Sequence, residues 1–539
     1  MTAGGLREFV VDTPVEEDSV LATALGALSQ AFTVAREPAA PGSGTHRRTW
    51  LDTFDWRLYK AGLTLRFEQA RRGGRLLLSK ADGTPQAEQR VTRWPRRPGL
   101  AGDLPDGPVR DRIVVLTSPR ALLPIVKAVS TVSVSRLLNA DGKTVARLVT
   151  ERATVTAPTG STGADTTAEL PPRLAVTEVR GYPGQARRAA GLLAGVPGVS
   201  YASQSLFSAA LTALGRHPAD YSSSVEAEIT ATMPAPVAVA RLLLRLLDTI
   251  ELNVDGVLRD IDTEFLHDFR VAVRRTRSAI KLLGTVLPAD LAGHYATEFK
   301  WLGDVTTPIR DLDVHLLGFD AMTRQLAAAS PADLEPLRAF LVRRRAREFR
   351  RLAAALRGPR FRAITDDWRK ALLEIRDASG PRRRRPTAAA LARGTTERAF
   401  RRIAARGGAI TPASPPESLH DLRKRAKELR YLLEFFAPLH DPVAYRKVVS
   451  DLKQLQDCLG EFQDSEVQRH EIHTLADAML AERAAPAATL LAMGEIAAKL
   501  TLSQAEARAE FAARFGRFAG PAGRERVRVL LAREMQGRS

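Results

Sequence analysis

Hydrophobic and polar residues alternate with a period of two in several short runs between residues 1 and 215. The runs are REFVVD (7–12), LTLRFEQ (63–69), RLLLSK (75–80), VSVSRLL (132–138), ARLVTERATV (146–155) and LAVTEVRG (174–181). Turn sequences such as ADG and NADG separate neighbouring runs, which is typical of antiparallel hairpins. We therefore expect an antiparallel sheet, with helices near 18–32, 119–128 and 184–195 and with loops at 36–47 and 157–172.

From about residue 226 the apolar spacing becomes that of amphipathic helices, and one segment recurs 153 residues further on. Residues 267–314 align without a gap to residues 420–467, and nine of the 48 aligned positions are identical. Most of the matches are charged: His267/His420, Asp268/Asp421, Arg270/Arg423, Arg277/Arg430, Lys300/Lys453, Asp304/Asp457 and Asp311/Asp464. Repetition of a core alone would favour apolar matches, so the duplicated feature is a cationic one.

Each copy opens with a helix whose cations lie on one stripe, because the spacing i, i+3, i+7 and i+10 keeps side chains on one side of a helix. The first stripe contains His267, Arg270, Arg274, Arg277 and Lys281. The second contains His420, Arg423, Lys427 and Arg430, with Lys424 and Tyr431 on its flank. From the histidine to the last arginine each stripe is about 15 Å long. The opposite faces are apolar, with Phe269, Val273, Ile280 and Leu283 in one copy and Leu422, Leu429, Leu432 and Phe436 in the other.

Like charges at this spacing repel each other, so each stripe destabilises its own helix. A bound polyanion would compensate for the repulsion, since arginine binds phosphate oxygens bidentately and lysine adds a point charge. The alternative is a solvated face in a basic protein, and the in-register duplication favours the binding surface. A metal or catalytic role for the two histidines lacks a companion His-X-X-X-His or cysteine pair.

Further cations lie between the two copies, in VRRRAREFRRLAAALRGPRFR at 342–362. Arg344, Arg347 and Arg351 form another i, i+3, i+7 stripe, which either merges with the other two or is a solvated face. RRRR at 382–385 is either an auxiliary polyanion contact or a linker. The carboxylates Asp311, Asp313, Asp464 and Glu466 are expected to form ion pairs that orient cations such as Lys300 and Lys453 rather than to catalyse a reaction.

The net charge of +19 and the pI of about 10.5 restrict the partners to nucleic acid, anionic membrane or another polyanion. Aromatic residues make up only 6%, which disfavours single-stranded nucleic acid readers that stack bases. The lone Cys458 excludes an intrachain disulfide and a zinc site built from cysteines. No apolar stretch of 18 residues occurs and the N-terminus lacks a signal-peptide pattern, so we expect a cytoplasmic protein without a membrane span.

The helical half resembles the CHAD family, the conserved histidine α-helical domain, from about residue 226 to 520. The resemblance rests on the two His-Asp-X-Arg helices and on their followers, FKWLGDVTTPIRDLDV at 299–314 and LKQLQDCLGEFQDSEV at 452–467. The second helix also carries the Lys-X-Leu-Arg-Tyr element of the family at 427–431. The resemblance implies a helical bundle with internal two-fold pseudosymmetry that binds inorganic polyphosphate along a basic surface.

The segment at 49–83 resembles the signature of the CYTH family: an aromatic residue before Asp-Thr, then a Gly and a Leu-Arg strand, then a strand that ends in Lys. The matching positions are Asp52-Thr53, Leu58, Gly62, Leu65-Arg66 and Lys80. The resemblance implies an antiparallel barrel of the triphosphate tunnel type, which in the enzymes of the family binds triphosphate with Arg and Lys and holds Mg²⁺ on pairs of glutamates.

This copy departs from the catalytic pattern at the metal-binding positions. The Glu-X-Glu-X-Lys motif of the enzymes is replaced by Gly4, Leu6 and Glu8, and the later acidic strand retains only Glu178. Metal-assisted phosphoryl chemistry needs carboxylates that hold Mg²⁺ against the phosphates. We therefore expect a degenerate CYTH domain with little or no turnover and with no catalytic or metal-binding residues, in which Arg66, Lys80 and Arg136 remain as anion contacts. Mg²⁺ would be required only if this half retained activity.

The sequence thus predicts an α+β protein of two domains: a CYTH-like barrel at 1–215, a linker at 216–225, a CHAD-like bundle at 226–520 with repeats at 226–375 and 386–520, and a tail at 521–539. Its predicted function is the non-covalent binding of polyphosphate, with localisation at polyphosphate granules. One alternative is a metal-dependent triphosphatase acting through the N-terminal half. The other is generic nucleic-acid binding by the basic surface.

Overall fold

The computed structural model describes residues 7–12, 17–36, 42–70, 72–92, 98–158, 165–378 and 386–532. Its contacts divide the chain into two compact units, Met1–Ser222 and Ser223–Ser539. The predicted positions Gly4 and Leu6 and the RRRR segment at 382–385 lie outside the described residues. Within the part of the chain that the structure describes, no helix is both long and apolar enough to cross a membrane.

In its described residues the N-terminal unit is an antiparallel sheet with five α-helices, and the prediction of such a sheet is confirmed. The strands are β1 (Arg7–Val11), β2 (Thr33–Arg36), β3 (Gly44–Asp52), β4 (Leu63–Gln69), β5 (Gly74–Lys80), β6 (Pro85–Val91), β7 (Gly99–Leu100), β8 (Ala121–Leu138), β9 (Thr144–Ala157), β10 (Thr166–Glu178) and β11 (Val199–Tyr201). The helices are α1 (Glu17–Ser29), α2 (Arg57–Lys60), α3 (Pro108–Thr117), α4 (Pro183–Ala194) and α5 (Leu206–Ala213). The predicted helices at 18–32 and 184–195 correspond to α1 and α4.

The main strand order is β11-β1-β10-β9-β8-β3-β4-β5-β6, with β2 and β7 also paired to β8. Among the described residues β11 and β6 do not pair with each other, so the sheet is open and the expected closure into a barrel is wrong. Alternation along a strand indicates one buried face, and it carries no information about which edge strands meet.

Two further predictions for this unit are also wrong. The helix expected at 119–128 is the start of β8, a long strand that pairs with both β3 and β9. A short apolar run is compatible with a buried helix or a buried strand. Here its pairing with β3 and β9 makes it a strand. The loops expected at 36–47 and 157–172 are shorter than predicted, because β3 begins at Gly44 and β10 begins at Thr166.

The signature residues at 52–62 have a structural role. The carboxylate of Asp52 accepts hydrogen bonds from the backbone N–H groups of Thr53, Leu58 and Tyr59 at 2.7–2.9 Å. It thereby satisfies donors at the start of α2, which otherwise lack partners. Burial raises the pKa of Asp52 to about 6 in spite of these hydrogen bonds. Gly62 follows α2 with φ +71°, in the left-handed region that glycine adopts without strain.

The C-terminal unit consists of helices, as predicted. They are α6 (Ala235–Leu258), α7 (Thr263–Leu283), α8 (Ala289–Thr323), α9 (Glu335–Arg357), α10 (Pro359–Asp377), α11 (Ala388–Gly408), α12 (Pro416–Phe435), α13 (Pro442–Ala481), α14 (Ala487–Ala519) and α15 (Pro521–Ala532). The segment that we predicted as a tail therefore begins with a helix. The repeated segments are α7 with α8 and α12 with α13, which is the succession that the offset of 153 residues predicts.

Apolar side chains join the two copies through shared cores. Leu312 and Phe319 of α8 and Phe340 of α9 pack in one cluster with Ile472 and Met479 of α13. The apolar faces predicted for the two histidine helices are buried as well, since none of the eight side chains is more than 6% exposed: Phe269, Val273, Ile280, Leu283, Leu422, Leu429, Leu432 and Phe436. Burial of these faces leaves the cationic stripes at the surface of the bundle.

Candidate polyanion interface

Helices α7 and α12 carry the two predicted stripes and contact each other. The Nε of Arg274 on α7 donates a 2.7 Å hydrogen bond to the hydroxyl of Tyr431 on α12. We call the following set the twin-stripe surface: His267, Arg270, Arg274 and Arg277 of α7 with His420, Arg423, Lys427 and Arg430 of α12. Each residue of this set is exposed or half-buried. The structure therefore brings the two stripes together.

The first stripe is held by neutral oxygen atoms of α8. The Nη1 of Arg270 donates to the hydroxyls of Thr306 and Thr307 at 2.9 Å and to the carbonyl of Gly303 at 3.3 Å. Burial lowers the pKa of Arg270 to about 10; the charge of Asp311 opposes this shift, and neighbouring arginines add to it. The guanidinium of Arg277 lies directly over Gly303, where an added Cβ would be 2.8 Å from Nη1. The glycine is thus required for the close approach of Arg277.

The second stripe repeats this arrangement with different partners. Arg430 donates to Gln456, which is the repeat equivalent of Gly303, at 3.3 Å. Arg423 forms a 2.7 Å ion pair with Asp464. The equivalent residues of the first copy are Arg270 and Asp311, whose opposite charges also interact. The ring of His420 hydrogen-bonds Gln463. Both copies thus hold equivalent stripe residues against the helix that follows.

Lys427 lies near two other cations of the twin-stripe surface, Arg423 and Arg274. Burial, together with the nearby charges of Arg423 and Arg274, lowers the pKa of Lys427 to about 8, while Asp464 opposes the shift. Like Arg270, Lys427 is therefore held where its positive charge is poorly solvated and only partly compensated. An anion bound between these cations would stabilise their protonated forms.

The other predicted contacts surround this centre. Lys424, Lys300 and Lys453 are exposed, and Lys300 forms a 2.8 Å ion pair with Asp304. Lys281 is also exposed, and its ammonium lies 2.7 Å from Glu428 of α12. Of the carboxylates predicted to orient cations, Asp464 pairs with Arg423, whereas the partner of Lys300 is Asp304, which was not in the predicted set. Asp313 also forms an ion pair, with Arg345 of α9.

The arginines of α9 lie beside α8 and α13. Arg344 and Arg351 line a cavity of about 430 Å³ together with Asp311, His315 and Glu471. The ring of His315 is 2.7 Å from Glu471 within it. Thr307, which accepts a hydrogen bond from Arg270, lines the same cavity, so this cavity adjoins the twin-stripe surface. Arg347 is exposed on α9.

In the N-terminal unit, the three predicted anion contacts are dispersed. Arg66 lies 2.9 Å from Glu68 of its own strand, and Glu68 also binds Arg75 at 2.7 Å. Lys80 pairs in register with Leu63, so alternation places it on the opposite face of the sheet from Arg66. Arg136 lies on β8 opposite Arg147. The structure does not bring these three cations together.

The metal site that the CYTH resemblance implies does not fit the residues present. The carboxylate of Glu8 is bound by the guanidinium of Arg173 at 3.0 Å, and Glu178 is exposed at the end of β10. Within the described residues no group of three histidine, cysteine or acidic side chains could hold a metal ion. Oxygen ligands that are already paired to arginine are poor ligands for Mg²⁺.

Sequence reasoning did not identify Thr306, Thr307, Gln463 and the acidic residues Glu428 and Glu434, all of which hold stripe residues or their neighbours. The threonines align with Leu459 and Gly460 of the second copy, so the repeat gave no signal for them. The glutamates stand where the first copy has Arg275 and Lys281, and this inversion of charge is visible in the alignment.

Comparisons with known proteins identify the class of the helical unit. Residues 241–473 match the CHAD domain family, so this chain carries a CHAD domain there, and the predicted resemblance is confirmed for that part. An uncharacterized protein of Mycobacterium tuberculosis, Rv2226, is 28% identical over 250 residues, which are 43% of this chain and 44% of that protein. The chain therefore spans less than half the length of this curated relative.

Two solved structures are similar to parts of the chain. One is the CHAD domain from the plant Ricinus communis, with 24% identity and a TM-score of 0.42, covering 57% of this chain and 96% of that structure. The other is a candidate adenylyl cyclase from Hippeastrum with a dominant triphosphatase activity, with 14% identity and a TM-score of 0.23, covering 40% of this chain and 99% of that structure.

Proposed function

We propose that the C-terminal unit binds inorganic polyphosphate non-covalently along the twin-stripe surface. The observation that carries the proposal is the poorly compensated positive charge at its centre, where Arg270 is bonded to neutral oxygens and the pKa of Lys427 is lowered to about 8. A linear chain of phosphates would supply the missing negative charge to both copies at once. The CHAD domain at 241–473 supports the same ligand.

The shape of the surface also favours a linear polyanion over a compact one. The two stripes end at His267 and His420, and each is about 15 Å long. An ion such as orthophosphate would contact one or two cations, whereas a flexible chain would follow both stripes. Binding to a surface of this kind releases condensed counterions, so the affinity should fall steeply with salt concentration.

The proposal extends to where the protein acts in the cell. A protein that binds long polyphosphate through its surface cations would accumulate wherever that polymer is concentrated. We therefore propose association with polyphosphate granules. A fluorescent fusion should coincide with granules, and the quadruple variant described below should lose this coincidence.

The test is a titration of the full chain with long-chain polyphosphate across a salt series, with duplex DNA as the competitor. Replacing Arg270, Arg274, Arg423 and Lys427 together by alanine should reduce the affinity at least about a hundredfold, since each charge-assisted contact contributes about 1.5–3 kcal/mol. Helicity should remain, because the apolar faces of α7 and α12 are untouched.

The matched control removes three arginines and one lysine that are exposed on the N-terminal unit: Arg112, Lys143, Arg180 and Arg187. This variant has the same net charge as the quadruple variant and should bind polyphosphate with nearly the wild-type affinity. Equal losses in the two variants would mean that only net charge matters. Equal affinity of the wild type for DNA and polyphosphate would favour generic nucleic-acid binding instead.

A triphosphatase acting through the N-terminal unit is not favoured, because Glu8 is bound by Arg173 and Arg66 is bound by Glu68. Mg²⁺-dependent release of phosphate from tripolyphosphate by the purified protein would contradict this view.

A further inference from the structure

Two ion pairs join α7 to α12 beside the twin-stripe surface. The Nη2 of Arg275 lies 2.8 Å from Oε2 of Glu434, and the Nζ of Lys281 lies 2.7 Å from Oε1 of Glu428. Arg275 precedes Lys281 in α7, whereas the partner of Arg275, Glu434, follows the partner of Lys281, Glu428, in α12. The two helices therefore run antiparallel where they contact each other.

The repeat offset shows that the two ion pairs connect equivalent positions of the two copies. Glu428 is the repeat equivalent of Arg275, and Glu434 is the repeat equivalent of Lys281. Each ion pair therefore joins the same two repeat positions, once in each direction, as in a contact between two copies related by a local two-fold. The first copy supplies both cations and the second copy supplies both carboxylates. We call the contacts Arg275–Glu434 and Lys281–Glu428 the reciprocal ion pairs.

Most of the charged atoms in these pairs are shielded from solvent. The side chains of Arg275, Glu428 and Glu434 are 16%, 12% and 18% exposed, while Lys281 is 64% exposed. Glu428 also binds Arg425 at 3.1 Å and Glu434 also binds Arg430 at 2.8 Å. Ion pairs that are shielded from water are strongly disrupted when one partner is removed, and they are best known for selecting one arrangement over others.

The charges of these four residues favour contact between a first-copy helix and a second-copy helix. Contact between two first-copy helices would place cations against cations, and contact between two second-copy helices would place carboxylates against carboxylates. Both arrangements are disfavoured by like-charge repulsion. The inversion of charge at Arg275/Glu428 and Lys281/Glu434 thus allows α7 to pair with α12 and discourages the two alternatives.

The reciprocal ion pairs also determine how the two stripes meet. They lie in the C-terminal halves of α7 and α12, next to the contact between Arg274 and Tyr431. Because the helices are antiparallel, the stripes extend from this region in opposite directions, toward His267 on one side and His420 on the other. The antiparallel contact thus places the two stripes end to end in one row of cations.

We propose that Arg275, Lys281, Glu428 and Glu434 are positioning residues that hold the two stripes end to end, so that a single polyphosphate chain occupies both. This inference rests on the proposed function and gives Lys281 a role other than the direct contact predicted from the sequence. When two sites are linked in a fixed geometry, a ligand that reaches both gains affinity, and a ligand confined to one does not.

The test compares long-chain polyphosphate with tripolyphosphate in two double variants of opposite charge. Glu428→Gln with Glu434→Gln raises the net charge by two, and Arg275→Gln with Lys281→Gln lowers it by two. General electrostatic attraction predicts tighter binding in the first variant and weaker binding in the second. The proposal predicts that both variants lose affinity for the long chain by about tenfold, while their affinity for tripolyphosphate follows net charge only.

Circular dichroism and thermal unfolding establish that each variant is folded. If a double variant does not fold, Lys281→Gln replaces it, because the exposed lysine can be neutralised with little effect on packing; a fall in the ratio of long-chain to tripolyphosphate affinity is expected there too. If the wild type binds neither polymer, the proposed function is wrong. If the wild type binds and the ratio stays unchanged in the folded variants, the proposed function stands and the positioning role is wrong.

Discussion

The Nε of Arg274 donates a 2.7 Å hydrogen bond to the hydroxyl of Tyr431, which joins the cationic helix of the first copy to that of the second. The ring of Tyr431 is buried and stacks on Phe435 with 6.1 Å between ring centroids. A rigid, buried phenol therefore orients an exposed guanidinium. This contact holds one residue of the twin-stripe surface in place before any ligand is bound.

Replacing Tyr431 by phenylalanine should separate this orientation from packing. The ring stays in place, and the lost hydrogen bond should cost about 0.5–1.5 kcal/mol in the free energy of unfolding. We expect polyphosphate affinity to fall a few-fold, about 2–10 times for an energy of this size, because Arg274 then samples more conformations. Titration calorimetry measures the affinity. Tyr201→Phe, at an exposed position of the N-terminal unit, is the control and should leave both quantities unchanged.

Lys427 should make polyphosphate binding depend on pH. Its pKa is lowered to about 8 by burial and by Arg423 and Arg274, so the free protein loses this charge as the pH rises through 8. A polyanion prefers the protonated form, and binding should be accompanied by proton uptake above that pH. Affinity measured from pH 7 to pH 10 should therefore decrease. Lys427→Arg should flatten the profile, whereas Lys424→Arg should keep the wild-type profile; an unchanged decrease in Lys427→Arg would contradict the assignment.

His440 should make the helical unit less stable in acid. Burial lowers the pKa of this histidine from 6.5 to about 4, so the unfolded chain binds the proton more tightly than the folded one. Its contribution to stability is complete above pH 6.5 and is lost as the pH falls toward 4. Thermal unfolding between pH 7 and pH 4 should show this loss. His440→Phe keeps the stacking on Tyr445 and should reduce the dependence on pH in that interval; an identical dependence would show that other groups are responsible.

Two glycines in helices should respond oppositely to alanine. A Cβ on Gly256 of α6 would lie 2.1 Å from the ring of the buried Phe265, whereas a Cβ on Gly293 of α8 meets no atom within 4 Å. Gly256→Ala should cost about 1–3 kcal/mol in the free energy of unfolding through overpacking. Gly293→Ala should stabilise by roughly 0.5–1 kcal/mol through helix propensity. Chemical denaturation measures both, and a neutral Gly256→Ala would mean that the contact between α6 and α7 adapts easily.

The sequence by itself determined the helical unit and the identity of its main cations. A period of 3.6 residues fixes which side chains share a helix face, so His267, Arg270 and Arg274 could be assigned to one stripe without a structure. The repeat added the second stripe at the same spacing. Alternation likewise predicted the antiparallel strands of the N-terminal half, although the run at 119–128 fits two periods and was assigned incorrectly.

Only the tertiary structure decided how distant elements meet. Local periodicity does not encode strand order, so the open edges of the sheet and the separation of Arg66 from Lys80 were invisible in the sequence. The antiparallel contact of α7 with α12 depends on residues about 150 positions apart, because Arg275 and Glu434 form their ion pair only when both helices are packed. The sequence specifies which charges are present, and packing specifies which of them are paired and which remain to attract a ligand.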